Sequence, residues 1–237
     1  MIGVMRGAKP RANVHPSKIF ENEIIYIYCM PYFRKKHILF IHIPKTGGTT
    51  VHNRFLLEDT LELYNNKMNY NNVLPPPHNK VSLQHLFYTT IYNHRNLLRV
   101  PFDEELRIVA SVRNPYTRIV SDLFYQKLIH KFSAADMVYN VIRQYINATC
   151  YDNHNVPQYK FVVDEKGELV PGLIVLKMET LNEDLLRLGF LTTRHFNKGQ
   201  SSNLNYMDYL DNQSLALIND FYRKDFELFG YPMITSK

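Results

Sequence analysis

Tryptophan is absent from this chain of 237 residues, and cysteine occurs only twice, as Cys29 and Cys150. Two thiols cannot build the disulfide framework of a small secreted protein, so isolated thiols in a reducing compartment are expected. A membrane-spanning helix needs about 20 apolar residues, and the most apolar early stretch, IIYIYCMPYF, is short and contains a proline. A secretory signal is also missing. These absences predict a soluble, cytoplasmic protein without a membrane span.

A long run of basic residues is missing as well, although the formal net charge is +6. A dispersed positive charge favours an anionic small ligand or sugar, such as a nucleotide or a sulfated or carboxylated glycan, over a nucleic acid. The first 18 residues are small and basic with two prolines, which predicts a flexible N-terminal arm. Residues 19–237 are predicted to form one domain.

Segments typical of strands alternate along the chain with segments typical of helices. Strands are predicted at 37–43, 106–112 and 173–178. Helices are predicted at 49–58, 83–98, from 115 onward, at 136–148, and over TLNEDLLRLGF and NQSLALINDFYRKDFELFGY. This alternation indicates an α/β domain of three layers with a mainly parallel central sheet flanked by helices. The Asn-rich segment 63–80, with three prolines, is predicted to be a long loop.

Three local signals define the ends and turns of these elements. Thr180 and Glu183 are spaced as a capping box at a helix start. Gly230 is expected to end the last helix. Lys166 and Gly167 are expected at the tip of a hairpin.

The first motif that points to chemistry is IHIPKTGGTT, residues 41–50. A strand, a glycine-containing turn and a helix N-terminus form a common anion site, because backbone N–H groups converge there. Lys45 comes before the glycines, whereas a nucleotide kinase places Gly-Lys-Ser/Thr at the end of its loop. The residues predicted to bind the anion each offer a free backbone N–H group or a side-chain hydroxyl. They are Thr46, Gly47, Gly48, Thr49 and Thr50. A simple glycine-rich turn is the alternative.

The second motif is VRNPYTRIVSDL, in which Arg113 follows a predicted strand and Pro115 begins a helix. A guanidinium and the hydroxyl of Ser121 can together bind a phosphate. Ligands of parallel sheets lie outside the carboxyl ends of the strands, so the two motifs should lie side by side. Salt-bridged surface arginines are the alternative for Arg113 and Arg118.

These residues resemble the carbohydrate sulfotransferases that use 3′-phosphoadenosine 5′-phosphosulfate (PAPS). IPKTGGTT resembles the 5′-phosphosulfate loop of that family, and VRNPYTRIVS resembles its 3′-phosphate motif. The resemblance extends over roughly residues 37–232 and is nearest to the 2-O-type glycan and chondroitin sulfotransferases and their soluble microbial relatives. The animal Golgi members carry a membrane anchor that this sequence lacks, so a microbial or viral source is expected.

The resemblance implies a P-loop-like fold and a transfer of the sulfuryl group from PAPS, with PAP as product. Lys45 would stabilise the charge that develops on the leaving phosphate. No metal is expected, because the strand at 106–112 ends in Arg113 where a Mg²⁺-dependent kinase needs a carboxylate. The segment NKGQSSN resembles the late loop that closes over the nucleotide, and its predicted ligands are Lys198, Gly199, Ser201 and Ser202.

The resemblance also indicates the general base, since His85 in QHLFYTTI stands where relatives carry a histidine. Histidine suits this role near neutral pH. His78 and His42 are the alternative bases. The acceptor is expected to be a hydroxyl, with carbohydrate favoured, although glycolipids, tyrosine and small metabolites stay open. An ATP-dependent small-molecule kinase and a non-catalytic nucleotide- or glycan-binding protein are the competing functions.

Overall fold

A four-stranded sheet organises the part of the chain that the computed structural model describes, residues 32–58, 73–148, 152–190 and 204–236. Its strands are β1 (Tyr32–Phe33), β2 (Ile38–Ile41), β3 (Arg107–Val112) and β4 (Ile174–Lys177). They lie in the order β1–β2–β3–β4. β1 runs antiparallel to β2, whereas β2, β3 and β4 are mutually parallel. The predicted α/β class with a mainly parallel sheet is therefore confirmed.

Helices connect and cover these strands. The α-helices are α1 (Gly48–Glu58), α2 (Tyr88–Asn93), α3 (Arg95–Leu98), α4 (Pro115–Tyr125), α5 (Ala135–Asn147), α6 (Leu181–Arg187), α7 (Asn212–Phe221) and α8 (Arg223–Phe229). Short 3₁₀ turns occur at His78–Lys80, Leu83–His85, Gln158–Phe161, Met178–Thr180 and Tyr206–Tyr209. Among the described residues, no helix combines the length and the apolar character needed to cross a bilayer.

Both faces of the sheet are buried, because the side chains of β2 alternate between two apolar clusters. Leu39 and Ile41 belong to the cluster that includes residues of α2 and α3. Ile38 and Phe40 belong to the opposite cluster, which includes residues of α1 and α6. A third cluster joins α4, α5, α7 and α8. The carboxyl ends of β2 and β3, where the two motifs begin, are thus held by helices on both sides.

Two predicted helices are interrupted where packing overrides the local helical pattern. The segment 83–98 is a 3₁₀ turn followed by α2 and α3, because Leu86 and Phe87 are extended. The C-terminal helix is divided at Tyr222, whose ring is buried. Gly230 ends α8 with φ +64°, as predicted.

Two local predictions have different outcomes. The predicted capping box does not form, because the Thr180 hydroxyl donates to Asp184 (2.9 Å) and makes no cap bond. The turn at Lys166–Gly167 is present, and a single antiparallel bridge from Val163 to Leu169 closes it. The predicted arm at 1–18, both cysteines, residues 63–72 of the predicted long loop and the segment NKGQSSN lie outside the described residues.

Candidate active site

The loop between β2 and α1 has an unusual backbone at the lysine. Lys45 has φ +64° and Gly47 has φ +84°. The left-handed region is uncommon for a lysine, so tertiary contacts must hold it there. The Thr46 hydroxyl is buried, donates to the Ile43 carbonyl (2.8 Å) and pairs with the Ser111 hydroxyl of β3 (2.8 Å). Thr46 therefore anchors the loop to the sheet, and its side chain faces the core.

The two glycines of the loop are required by close contacts. A Cβ atom on Gly48 would lie 2.0 Å from the His42 ring. A Cβ atom on Gly47 would lie 2.3 Å from the sulfur of Met178. Gly48 is also the first residue of α1, and Thr49 and Thr50 follow it in the first helical turn. The glycines thus let the loop fold against His42 while the helix N-terminus stays near the lysine.

Arg113 brings the second motif into contact with this loop. Its Nη1 atom donates to the Lys45 carbonyl (3.3 Å), and its Nε atom donates to Thr117 (3.0 Å). The Gln158 side chain fixes the Arg113 backbone, accepting from its N–H group and donating to its carbonyl, each at 2.9 Å. Ser121 lies on α4 and is buried. The predicted proximity of the two motifs is therefore present in the structure.

Arg118 is a structural clamp. It is 2% exposed, so the interpretation as a surface arginine is wrong. Its guanidinium donates to three backbone carbonyls, each at 3.0 Å: Pro44, Val156 and His154. The clamp joins the lysine loop to the segment that follows residue 152.

His85 is buried at the end of its 3₁₀ turn and is paired with a carboxylate. Its Nδ1 atom lies 2.8 Å from Oδ2 of Asp152. Asp152 also accepts from the N–H group of Ser82 (2.7 Å) and from its hydroxyl (2.8 Å). Burial alone would raise the pKa of Asp152, but the hydrogen bonds from His85 and Ser82 outweigh it and lower that pKa. A charged Asp152 holds the proton of His85 on Nδ1 and leaves Nε2 as an acceptor.

The environment keeps His85 neutral. Burial lowers the pKa of His85, and this effect exceeds the opposing influence of Asp152. The His42 ring lies 5.2 Å from it, edge to face. Burial, followed by the proximity of His85, lowers the pKa of His42 well below its ordinary value. His78, an alternative base, pairs instead with the ring of His94 at 5.3 Å.

A second histidine–carboxylate pair, which the sequence pattern did not indicate, adjoins the first. His154 Nδ1 lies 2.7 Å from Oδ1 of Asp122. The Tyr145 hydroxyl donates to the other oxygen of Asp122. The rings of His154 and His85 are 5.0 Å apart, edge to face. The two residues before His154, Asp152 and Asn153, have a left-handed backbone, which Asp and Asn tolerate better than most residues.

The lysine side chain lies beside this second pair. The Lys45 Nζ atom is 4.2 Å from the centroid of the Tyr125 ring. Burial lowers the pKa of Lys45, the Asp122 carboxylate opposes that shift, and Arg113 adds to it. The site therefore presents a cation at the loop and a neutral imidazole at His85.

Three of these residues are close enough to be considered for a metal ion. His85, Asp152 and His154 each offer one potential ligand atom, and these three atoms lie within 4.8 Å of one another. Among the described residues, no other group of this kind is found. Both oxygens of Asp152 already accept hydrogen bonds, which favours a role in orienting His85. The geometry is that of two histidine–carboxylate pairs.

Comparison with protein families decides the class of the molecule. A family model described as Sulfotransferase family matches residues 31–232, which is most of the chain. The chain belongs to the sulfotransferase family. It is accordingly a sulfotransferase enzyme, and members of this family generally use PAPS as sulfate donor and a hydroxyl as acceptor. Comparison of this sulfotransferase with curated proteins and with solved structures gave no significant match.

Contacts of the sulfotransferase connect its two motifs with each other and with the segment of His85. Arg113 touches the lysine loop, and Gly48 packs against His42, which touches His85. The predicted ligands of the late loop, Lys198, Gly199, Ser201 and Ser202, lie outside the described residues.

Proposed function

We propose that this enzyme transfers the sulfuryl group of PAPS to a hydroxyl of an acceptor, with carbohydrate as the favoured class, on a P-loop-like fold. The observation that carries the proposal is the contact between Arg113 and the Lys45 loop, beside the buried His85 and its half-buried partner Asp152. The cationic groups of Lys45 and Arg113, suited to an anionic donor, thus lie near a neutral base suited to a hydroxyl, at the carboxyl ends of the strands.

On the donor side, the start of α1 offers backbone N–H groups and a favourable helix dipole to the 5′-phosphate. Gly47, Gly48 and Thr49 supply the N–H groups in this proposal, and Thr49 and Thr50 supply hydroxyls. Thr46 contributes through its backbone, because its hydroxyl is bonded to Ile43 and Ser111. Arg113 and Ser121 are proposed to bind the 3′-phosphate, a role for which a guanidinium is well suited.

The late segment completes the donor site in this proposal. In its sequence, NKGQSSN, Lys198 and Gly199 are proposed to bind the 3′-phosphate, and Ser201 and Ser202 are proposed to add hydroxyls. A lysine and several hydroxyls next to a glycine provide the charge and the close backbone approach that a phosphate needs.

On the acceptor side, His85 Nε2 accepts the proton of the attacking hydroxyl. The acceptor oxygen forms a bond to sulfur while the bond between sulfur and the bridging phosphate oxygen breaks. The electron pair of that bond stays on the phosphate of PAP, where Lys45 offsets the developing charge. Asp152 stabilises the imidazolium that forms on His85. No step of this scheme requires a metal.

The first experiment measures binding of PAP and of ATP without Mg²⁺ by calorimetry and thermal shift. PAP should bind and raise the melting temperature, because a ligand of the native state stabilises it. Preferential binding of ATP would support the kinase alternative.

The second experiment measures transfer from ³⁵S-labelled PAPS to a neutral oligosaccharide, a uronic-acid polysaccharide, a glycolipid, a tyrosine peptide and 4-nitrophenol. Binding of PAP without any transfer would contradict an enzymatic role for the site.

The role of His85 is tested by His85→Ala, with His78→Ala as the matched control. Loss of a general base typically lowers kcat about 10²- to 10⁴-fold. His85→Ala should fall in that range and retain its affinity for PAP, while His78→Ala should keep the wild-type rate. A near-normal rate for His85→Ala would move the base elsewhere, with His42 as the next residue to replace.

A further inference from the structure

Four side chains form a continuous series of contacts from His85, the proposed base, to Lys45, which is proposed to stabilise the leaving phosphate. Three of them are rings, and the lysine ammonium lies over the last ring. His85 meets His154 edge to face, with ring centroids 5.0 Å apart. His154 stacks on Tyr125 with centroids 5.4 Å apart and ring planes only 2° from parallel. Lys45 Nζ lies 4.2 Å from the centroid of Tyr125. The two residues with opposite roles in the transfer are thus connected through two aromatic rings.

The middle of this series is fixed to the interior of the protein. His154 is buried and its Nδ1 atom is bonded to the buried Asp122 carboxylate at 2.7 Å. Its carbonyl accepts from Arg118 at 3.0 Å. Moving His154 would leave buried polar groups without partners, which is costly. Tyr125 is different, because it is the last residue of α4 and is 58% exposed.

We propose that His154 and Tyr125 are positioning residues that set the place of Lys45 relative to His85. This inference rests on the proposed sulfuryl transfer, in which base and lysine act at opposite ends of one reaction coordinate. A lysine side chain is long and flexible, so its ammonium needs a fixed contact to be preorganised. The face of Tyr125 supplies that contact through a cation–π interaction, and the parallel ring of His154 fixes the orientation of Tyr125.

The first test needs neither acceptor nor turnover. Lysines are converted to ¹³C-dimethyl-lysines, which retain their charge, and the Lys45 signal is assigned by its loss in Lys45→Arg. The ring of Tyr125 should shift this signal away from those of exposed lysines. Tyr125→Ala should abolish the shift, and Tyr125→Phe, the matched control, should preserve it. His154→Asn, which retains a donor for Asp122 but has no ring, should reduce the shift.

The second test is kinetic and uses ³⁵S-labelled PAPS with the best acceptor of the panel. Tyr125→Ala should lower kcat about 3- to 30-fold, the range expected for a lost cation–π contact. Its affinity for PAP, its KM for the acceptor and its melting temperature should stay close to wild type, and Tyr125→Phe should behave as wild type. An increase in acceptor KM with unchanged kcat would overturn the inference and assign Tyr125 to acceptor binding.

The two tests separate the inference from the proposed function. A Lys45 signal that is the same in wild type and Tyr125→Ala refutes the positioning role whatever the turnover. Wild-type protein that shows the shifted signal but transfers no sulfuryl group refutes the proposed function, and the catalytic meaning of the ring series is lost with it.

Discussion

Replacing Asp152 by asparagine tests the proposed base more sharply than removing the histidine, because the ring stays in place. Oδ1 of Asp152 accepts the Ser82 N–H, and Oδ2 accepts both the Ser82 hydroxyl and His85 Nδ1. The oxygen of asparagine can keep the Ser82 N–H, which leaves its NH₂ group facing His85. An NH₂ group donates, so Nδ1 must become the acceptor and the proton moves to Nε2.

A His85 ring with its proton on Nε2 cannot take the proton of the acceptor. The expected loss is therefore close to that of the base itself, about 10²- to 10⁴-fold in kcat. The affinity for PAP should be unchanged, because the proposed role of Asp152 is on the acceptor side. The assay compares kcat for ³⁵S transfer with Kd for PAP from calorimetry.

The chain offers a matched control in His37 and Asp103. His37 Nε2 lies 2.7 Å from Asp103 Oδ1. His37 precedes β2 and Asp103 precedes β3, so this histidine–carboxylate pair lies at the amino ends of the parallel strands, away from the candidate site. Asp103→Asn should keep the wild-type kcat. If Asp152→Asn loses no more activity than Asp103→Asn, the tautomer argument is refuted.

The pH profile gives a second readout for the same variant. Burial lowers the pKa of His85, so the wild-type rate should rise with pH and reach half of its maximum below about pH 6.5, the ordinary histidine value. Asp152 raises the pKa of His85. The acid limb of Asp152→Asn should therefore lie at lower pH than that of wild type, on a much lower plateau.

Three further predictions concern other parts of the site. Gly48→Ala should lower the free energy of unfolding by about 1–3 kcal/mol and reduce transfer, because the Cβ atom of the alanine would overlap the His42 ring. An unchanged midpoint of urea unfolding would argue against this packing. Burial depresses the pKa values of His42 and His85, so the folded state binds fewer protons than the unfolded chain, and stability should fall from about pH 6.5 to 5. His42→Phe should reduce that slope, and an identical slope in urea titrations would exclude His42 as its source. Arg113→Ala should weaken PAP binding about 10- to 100-fold, as for a lost charged hydrogen bond, with little effect on adenosine 5′-monophosphate; equal losses for both nucleotides would refute a specific 3′-phosphate role.

Sequence reasoning succeeded where the determining contacts are local. The strand, turn and helix around Lys45 follow from neighbouring residues, and so does the placement of Arg113 after β3. The side-by-side arrangement of the two motifs follows from the geometry of parallel strands. The direction of a hydroxyl does not follow from the sequence, and Thr46 turns its own toward Ser111, 65 residues away.

The histidine–carboxylate pairs could not be predicted because they depend on tertiary contacts. Asp152 is 67 residues from His85, and His154 is 32 residues from Asp122. Nothing in the local pattern around His154 distinguishes it from a histidine at the surface. The break at Tyr222 has the same origin, since burial of that ring decides the backbone there.

Arg118 places a constraint on how this enzyme can diverge. One guanidinium holds the carbonyl of Pro44, before the lysine, and those of His154 and Val156, after the first histidine–carboxylate pair. The loop proposed to bind the donor and the segment proposed to act on the acceptor are therefore not separate modules, and a shift in one should be transmitted to the other. New acceptor preferences should then arise by changes in peripheral segments that Arg118 does not contact. The segments that Arg118 does contact should change together.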